Sequence, residues 1–188
     1  MSSFQPAAYG PVFEPLLAID RNRLLGVGRP DAAARKPLQQ ATLATAFGSS
    51  RLVDLDMARC CLAGVWLLHD YLNESHVISQ EIETSSGSFW HGVMHRREGD
   101  FSNAKYWFRH VGRHDVLDEL GPRLGSLAEG AQTRQIDSLA PGGAFDPYRL
   151  VDACQAAVRS GDDAFCRRVQ QLEWELLFDH CYRRALGR

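Results

Sequence analysis

Apolar side chains recur every three to four residues along most of the chain, which is the period of an α-helix and not of a β-strand. No segment shows the alternating pattern bounded by turn residues that favours a strand. The pattern predicts helices at about 32–47, 54–82, 89–98, 102–111, 114–120, 122–130, 147–159 and 163–186. We therefore expect an all-α fold.

The longest predicted helix, 54–82, is expected to form the centre of a single-domain bundle. Its middle, 61–68, is apolar on every side, which is typical of a buried helix. The segment 89–111 should pack on it as a helical hairpin that turns at Gly99 and Asp100. This hairpin is similar to one tetratricopeptide unit, but a single unit does not make a solenoid. The side chains expected in the core are Trp66, Leu67, Trp90, Met94, Trp107 and Phe108.

The regions outside this centre have less regular patterns. Three of the eight prolines lie in residues 1–29 and a fourth follows at Pro30, and we expect an irregular N-terminal arm, 1–29, with one short helix near 13–19. A loop is predicted at 131–145, because it ends in Pro-Gly-Gly. Residues 146–188 should close the domain as a C-terminal helical hairpin, so that 1–188 forms one helical domain.

Composition and charge exclude several classes of function. The chain has 188 residues and a net charge of -2, which does not favour nucleic acid as a partner. No signal peptide and no membrane-spanning run of apolar residues is recognised, so no membrane partner is expected. The five cysteines form no C-x-x-C pair and lie among apolar residues, which favours free thiols in the cytoplasm. Oligomeric state is left open.

Histidines are concentrated in one part of the chain, where six of the seven lie between positions 69 and 114. On an uninterrupted helix 54–82, His69, Asn73 and His76 would share one face that continues an apolar stripe. This placement suggests polar groups directed to the interior. His69, His76 and Glu74 are therefore candidate catalytic groups, with a histidine as general base.

The next predicted helix carries a possible metal site. His91 and His95 are four residues apart, so both imidazoles can reach one ion, and Glu98 continues the same face. Because only about six residues separate the two predicted helices, His76 should approach His91 and His95 more closely than His69 does. The predicted ligands of zinc, iron or manganese are thus His76, His91, His95 and Glu98. The HExxH motif is absent, since Gly92 follows His91.

Three basic residues are candidates for binding an anionic small molecule, namely Arg97, Lys105 and Arg109. Arg97 falls inside the apolar arc of its predicted helix, so it needs an anion or a carboxylate partner. Glu74, Glu81, Glu98 and Asp100 are the carboxylates nearest in sequence. The neighbouring Arg96 is expected to be solvated.

Two classes of function are compatible with these residues. The first is a site for a small molecule or a metal ion, with or without catalysis. The second is a helical scaffold or interaction module, in which the same polar groups only tie helices together through hydrogen bonds. Histidine nitrogens that converge on one point favour the first class, and histidines with separate backbone contacts favour the second.

Residues 63–114 carry three consecutive motifs, L-H-D-x-L-x-E-S-H, W-H-x-x-M-H-R-R-E-x-D and N-x-K-Y-W-F-R. This segment resembles an uncharacterised family of bacterial and fungal hypothetical proteins. The family has no established activity, so the resemblance implies shared membership and no catalytic role. It covers less than a third of the chain.

Overall fold

The computed structural model describes residues 4–127 and 133–188, and these ranges contain eleven α-helices, three short 3-10 helices and no β-strand. The predicted all-α, single-domain fold is confirmed. The α-helices are α1 (Phe13–Leu17), α2 (Arg35–Gln40), α3 (Leu43–Phe47), α4 (Leu55–Leu68), α5 (Leu72–Ser79), α6 (Ser85–Glu98), α7 (Phe101–Val111), α8 (Asp115–Arg123), α9 (Thr133–Leu139), α10 (Pro147–Ser160) and α11 (Ala164–Ala185). The 3-10 helices are Pro6–Tyr9, Leu124–Leu127 and Pro141–Gly143.

Helix α4 lies at the centre of the fold, as its apolar sequence predicts, and packs against α5, α6 and α11. Gly64 allows α6 to pack closely against α4, because a Cβ at this position would lie 2.8 Å from the Trp90 ring of α6. The carbonyl of Gly64 also accepts a hydrogen bond of 3.1 Å from Trp174 Nε1 on α11. These contacts hold α6 and α11 against the central helix.

The predicted continuous helix 54–82 is wrong, because α4 ends at Leu68 and α5 begins at Leu72. Asp70 between them has a left-handed backbone with φ of 63°, which a continuing helix does not allow. Its carboxylate binds Arg23 and Arg97, so the break is fixed by distant cations. A helical row that joins His69 to His76 therefore does not exist.

The hairpin of α6 and α7 has the predicted turn. The Gly99 backbone is left-handed with φ of 88°, and the Asp100 carboxylate caps α7 by accepting a hydrogen bond from the Asn103 amide. Of the six predicted core side chains, Trp66, Leu67, Trp90, Met94 and Phe108 are buried. Trp107 is only half-buried, because it lies on the edge of α7 beside the histidines.

Several predicted boundaries need correction. The predicted helix 32–47 is two helices, because Thr42 caps α3 after α2 has ended. The predicted loop 131–145 contains helix α9 in its described part. The predicted helix 122–130 is replaced by the end of α8 and a 3-10 helix, and its last residues, 128–130, lie outside the described residues.

The two ends of the chain behave as expected in outline. The arm 1–29 holds a 3-10 helix and α1 in its described part, and it buries apolar side chains such as Phe13 and Leu17 against the bundle. Helices α10 and α11 form the predicted C-terminal hairpin, joined at a left-handed Gly161. No helix in the described ranges combines the length and the apolarity needed to cross a bilayer.

Candidate functional site

Three histidines from two consecutive helices converge at one point. His76 lies on α5, and His91 and His95 lie one turn apart on α6. One possible ligand atom from each ring lies within 4.8 Å of those of the other two. The predicted approach of His76 to His91 and His95 is confirmed, with ring centroids 4.7 Å and 5.4 Å apart.

The short connection between α5 and α6 brings the histidines together. Thr84 caps α6 by accepting a hydrogen bond of 3.1 Å from the Gly87 amide, which fixes where the helix begins. Gly87 has no Cβ, and this allows the first turn of α6 to pack directly on the Ile82 backbone. The chain therefore reverses within a few residues and places α6 beside α5.

The imidazole of His91 is enclosed between two other rings. It stacks on Trp107 with a centroid distance of 3.9 Å and on His95 with a distance of 4.8 Å, and both pairs are within 22° of parallel. Two flat rings cannot occupy the same face at these distances, so His95 and Trp107 cover opposite faces of His91. The edges of the ring, where its nitrogens lie, are left for a ligand.

Neither nitrogen of His91 has a hydrogen-bond partner among the described residues, although both are buried. Buried polar atoms are normally paired, so an unpaired imidazole inside a protein indicates that water, an ion or another ligand completes its contacts. Burial lowers the pKa of His91 to about 3, and the nearby rings of His95 and His76 add to the effect. His91 is therefore neutral at physiological pH and can offer a lone pair.

His95 has a similar environment with one difference. Burial and the neighbouring His76 lower its pKa, whereas the carboxylate of Glu98 acts in the opposite direction. Oε2 of Glu98 lies 3.3 Å from Nδ1 of His95, although the contact does not have hydrogen-bond geometry. Glu98 is exposed at the end of α6, whereas His95 is buried.

The other predicted catalytic residues are engaged elsewhere. His69 Nε2 lies 2.9 Å from the carbonyl of Leu16, and its Nδ1 faces Asp31. Glu74 forms an ion pair of 3.0 Å with Arg35 of α2. The structure thus brings His76 to the cluster and leaves His69 and Glu74 in contacts with the N-terminal part of the chain.

The predicted anion-binding residues are also engaged by the protein itself. Arg97 binds Asp70 at 2.6 Å and the Gly26 carbonyl at 2.9 Å, and none of the carboxylates nearest in sequence is its partner. Lys105 pairs with Asp152 of α10, and the Arg109 guanidinium lies over the Tyr106 ring. None of these partners is His76, His91 or His95.

The expectation that Arg96 is solvated is wrong. Arg96 is fully buried and makes a two-point ion pair with Glu173 of α11, with Nη1 of Arg96 3.1 Å from Oε1 of Glu173. Burial alone would lower the pKa of Arg96, but the adjacent Glu173 raises it above its ordinary value. No sequence pattern indicated this pair, because its members are 77 residues apart.

Sequence reasoning also missed the role of Trp107, which was assigned to the core and instead covers His91. Trp107 lies on the helix after His91, so helical spacing alone could not relate the two residues. The cluster of aromatic and histidine residues between 69 and 114 was the available signal.

No family model, no curated protein and no solved structure matches the chain. The resemblance of residues 63–114 to an uncharacterised family stays a prediction. The chemistry of the site must therefore be argued from its own geometry.

Proposed function

We propose that this protein binds a divalent transition-metal ion through His76, His91 and His95. The observation that carries the proposal is the convergence of three imidazoles whose ligand atoms lie within 4.8 Å of one another. The buried nitrogens of His91, which have no hydrogen-bond partner in the described part of the chain, support the same conclusion. A ligand that accepts lone pairs from all three rings would satisfy them.

Metal binding requires the side chains to rearrange. Zinc–nitrogen bonds are about 2.0–2.1 Å long, so two nitrogens of a tetrahedral site lie about 3.4 Å apart. The possible ligand atoms lie within 4.8 Å of one another, and the widest separation must therefore close by about 1.4 Å. An imidazole binds a metal in the plane of its ring, so the stacked rings of His91 and His95, which are 14° from parallel, must also tilt relative to each other.

The donor atoms favour a late first-row metal. Three imidazole nitrogens suit zinc, copper, nickel or cobalt, whereas magnesium and calcium prefer oxygen. Iron and manganese would need a carboxylate in addition, and Glu98 is the residue near enough to supply it. We infer zinc as the first choice, because the site is built from neutral nitrogen donors.

A helical scaffold is the second candidate, and it is favoured by the remaining polar groups. His69 contacts the Leu16 carbonyl, His110 the Tyr106 carbonyl and His114 the Ser86 hydroxyl, each in a separate place. The buried pair of Arg96 and Glu173 ties α6 to α11 in the same manner. A protein with only this function would need no metal at His76, His91 and His95.

The cellular compartment is also a proposal. We infer the reducing cytoplasm, because all five cysteines are buried as free thiols. In an oxidising compartment, cysteines that lie close together would be expected to form disulfides.

Equilibrium dialysis of tag-free protein against zinc, followed by elemental analysis, tests the metal proposal. We expect one bound zinc per chain in the unaltered protein and in the control His110→Gln, whose exposed ring contacts Tyr106 and Trp107. His76→Gln, His91→Gln and His95→Gln should each lose most of the affinity. Failure of the unaltered chain to bind zinc, or equal binding by all the variants, would favour the scaffold.

Binding should also stabilise the fold. A ligand that binds only the native state contributes about 2.7 kcal/mol when its free concentration is 100 times the Kd. The thermal midpoint should therefore rise with zinc in the unaltered protein and in His110→Gln. It should not rise in His91→Gln.

A further inference from the structure

Glu98 lies beside the histidine cluster without belonging to it. Its Oε2 is 3.3 Å from Nδ1 of His95, whereas the atoms that converge belong to His76, His91 and His95. A histidine that binds a metal through one ring nitrogen commonly donates the N–H of the other to a carboxylate. Glu98 lies on the Nδ1 side of His95 without a hydrogen bond in the metal-free chain, and binding of the ion through Nε2 would leave Nδ1–H to donate to this carboxylate.

Among the described residues, no fourth histidine, cysteine or carboxylate comes within the same distance of the other three. Structural zinc sites are closed by four protein ligands, whereas catalytic sites have three and keep the fourth position for water. We propose that Glu98 is a positioning residue for His95, and that the ion keeps one exchangeable position occupied by water. This inference rests on the metal site proposed above.

The exposure of the surrounding side chains shows where that position lies. His91 is 2% exposed, and the Trp107 ring covers one of its faces. By contrast, His76 is half-buried and the side chain of Glu98 is 53% exposed. The ion would therefore lie nearest to solvent on the side where α5 and the end of α6 meet.

A centre of this kind has a defined reaction class. Zinc bound to three imidazoles lowers the pKa of its water to about 7, which supplies hydroxide near neutral pH. The carboxylate of Glu98 would increase the basicity of His95 and hold its ring in one orientation. Such a centre would supply hydroxide for a hydrolysis or a hydration.

Cobalt(II) provides the test, because its visible spectrum reports the number and type of its ligands. Tag-free full-length protein is loaded with cobalt and titrated with azide, a small anion that replaces metal-bound water. We expect a saturable change in the visible absorption bands. Glu98→Ala should keep the azide response but bind cobalt 10–100-fold more weakly, as expected when a carboxylate behind a ligand is lost.

Two further variants separate positioning from general effects of charge. Glu98→Gln should recover part of the affinity, because its amide oxygen can accept the hydrogen bond from Nδ1–H that is proposed for the metal-bound protein. Glu119→Ala is the matched control, since Glu119 has a similar exposure of 51% and pairs with Arg123 on α8. It should leave both the affinity and the azide response unchanged.

The possible failures are distinguishable. The cobalt spectrum could stay unchanged with azide in the unaltered protein and change with azide in Glu98→Ala. This result would make Glu98 the fourth ligand, and it would overturn the proposed water position but not the metal site. Unchanged affinity in Glu98→Ala would overturn the positioning role. A chain that binds no cobalt at all would overturn both this inference and the proposed function.

Discussion

The imidazole of His91 lies flat against the indole of Trp107, with ring centroids 3.9 Å apart and ring planes at 22°. One of the three proposed ligands is thus in contact with a fluorophore. The two residues belong to different helices, α6 and α7, and the hairpin turn at Gly99 and Asp100 brings them together. A metal ion on His91 would sit within a few ångströms of the indole.

Copper(II) should therefore quench the fluorescence of Trp107. A paramagnetic ion quenches an excited indole on contact, so the emission should fall saturably with one equivalent of copper. Trp107→Phe should lose most of this response, because the other three tryptophans are not stacked on a ligand. Zinc, which has no unpaired electrons, serves as the control ion. A full copper response in Trp107→Phe would place the ion elsewhere.

The stability of the metal-free protein should fall as the pH is lowered from 6.5. The pKa of His91 is about 3 in the fold and 6.5 as a free side chain. Between these pH values the unfolded chain binds a proton at His91, whereas the native chain does not. The contribution of neutral His91 to the free energy of unfolding is fully present above pH 6.5 and is lost progressively toward pH 3. At pH 5, one such group reduces the free energy of unfolding by about 2 kcal/mol.

The variant His91→Gln removes this imidazole and should weaken the dependence of stability on pH. Urea denaturation at pH 7 and at pH 5 should show a difference smaller by about 2 kcal/mol than in the unaltered protein. The remaining slope comes from His95, His114 and His180, whose pKa values burial also lowers. His110→Gln should keep the full slope, and identical slopes in all three proteins would contradict the assignment.

Breaking the buried pair of Arg96 and Glu173 should destabilise the fold strongly. Both side chains are fully buried, so Arg96→Met leaves a carboxylate without its counter-charge. Loss of one partner of such a pair costs about 3–5 kcal/mol. Chemical denaturation followed by circular dichroism measures the change.

A double variant, Arg96→Met with Glu173→Leu, is the informative control. Because it removes both charges, it should regain most of the lost stability. The exposed pair of Arg123 and Glu119 gives the comparison on the surface, where Arg123→Met should cost less than about 1 kcal/mol. A double variant no more stable than Arg96→Met would show that the pair is not the cause.

Asp70 should be sensitive both to charge and to backbone conformation. Its carboxylate binds Arg23 and Arg97, and its left-handed backbone has φ of 63°. Asp70→Asn removes the charge and should cost about 3–5 kcal/mol, because Arg97 is left buried without a counter-charge. Asp70→Ala should cost about 1 kcal/mol more, since alanine tolerates this conformation less well than asparagine. Equal free energies of unfolding for the two variants, measured in urea, would show that the left-handed backbone at position 70 does not discriminate between alanine and asparagine.

Gly28 supports the same arrangement from the N-terminal arm. Its backbone is left-handed with φ of 69°, and a Cβ there would collide with the Asp70 carboxylate. The arm therefore packs on the turn between α4 and α5, where the Arg29 amide also donates to Asp70. This contact explains why a chain segment rich in prolines is held in place.

The sequence by itself determined the features that depend on neighbouring residues. The buried character of α4 follows from its apolar residues at 61–68, and the turn at Gly99 follows from glycine at the end of a helix. The hairpin of α10 and α11 follows from Gly161 and from a regular apolar stripe. His91 and His95 share a helix face because they are four residues apart.

Only the tertiary structure decided the features that depend on distant groups. The helix break at Asp70 results from cations 47 and 27 residues away, and local periodicity carries no information about them. Arg96 is buried because Glu173 meets it from α11, so its position on a helical wheel suggested the wrong environment. The stacking of Trp107 on His91 likewise required the packing of α7 on α6. Helical propensity and periodicity are local, whereas pairing of charges and enclosure of rings depend on which surfaces the fold brings together.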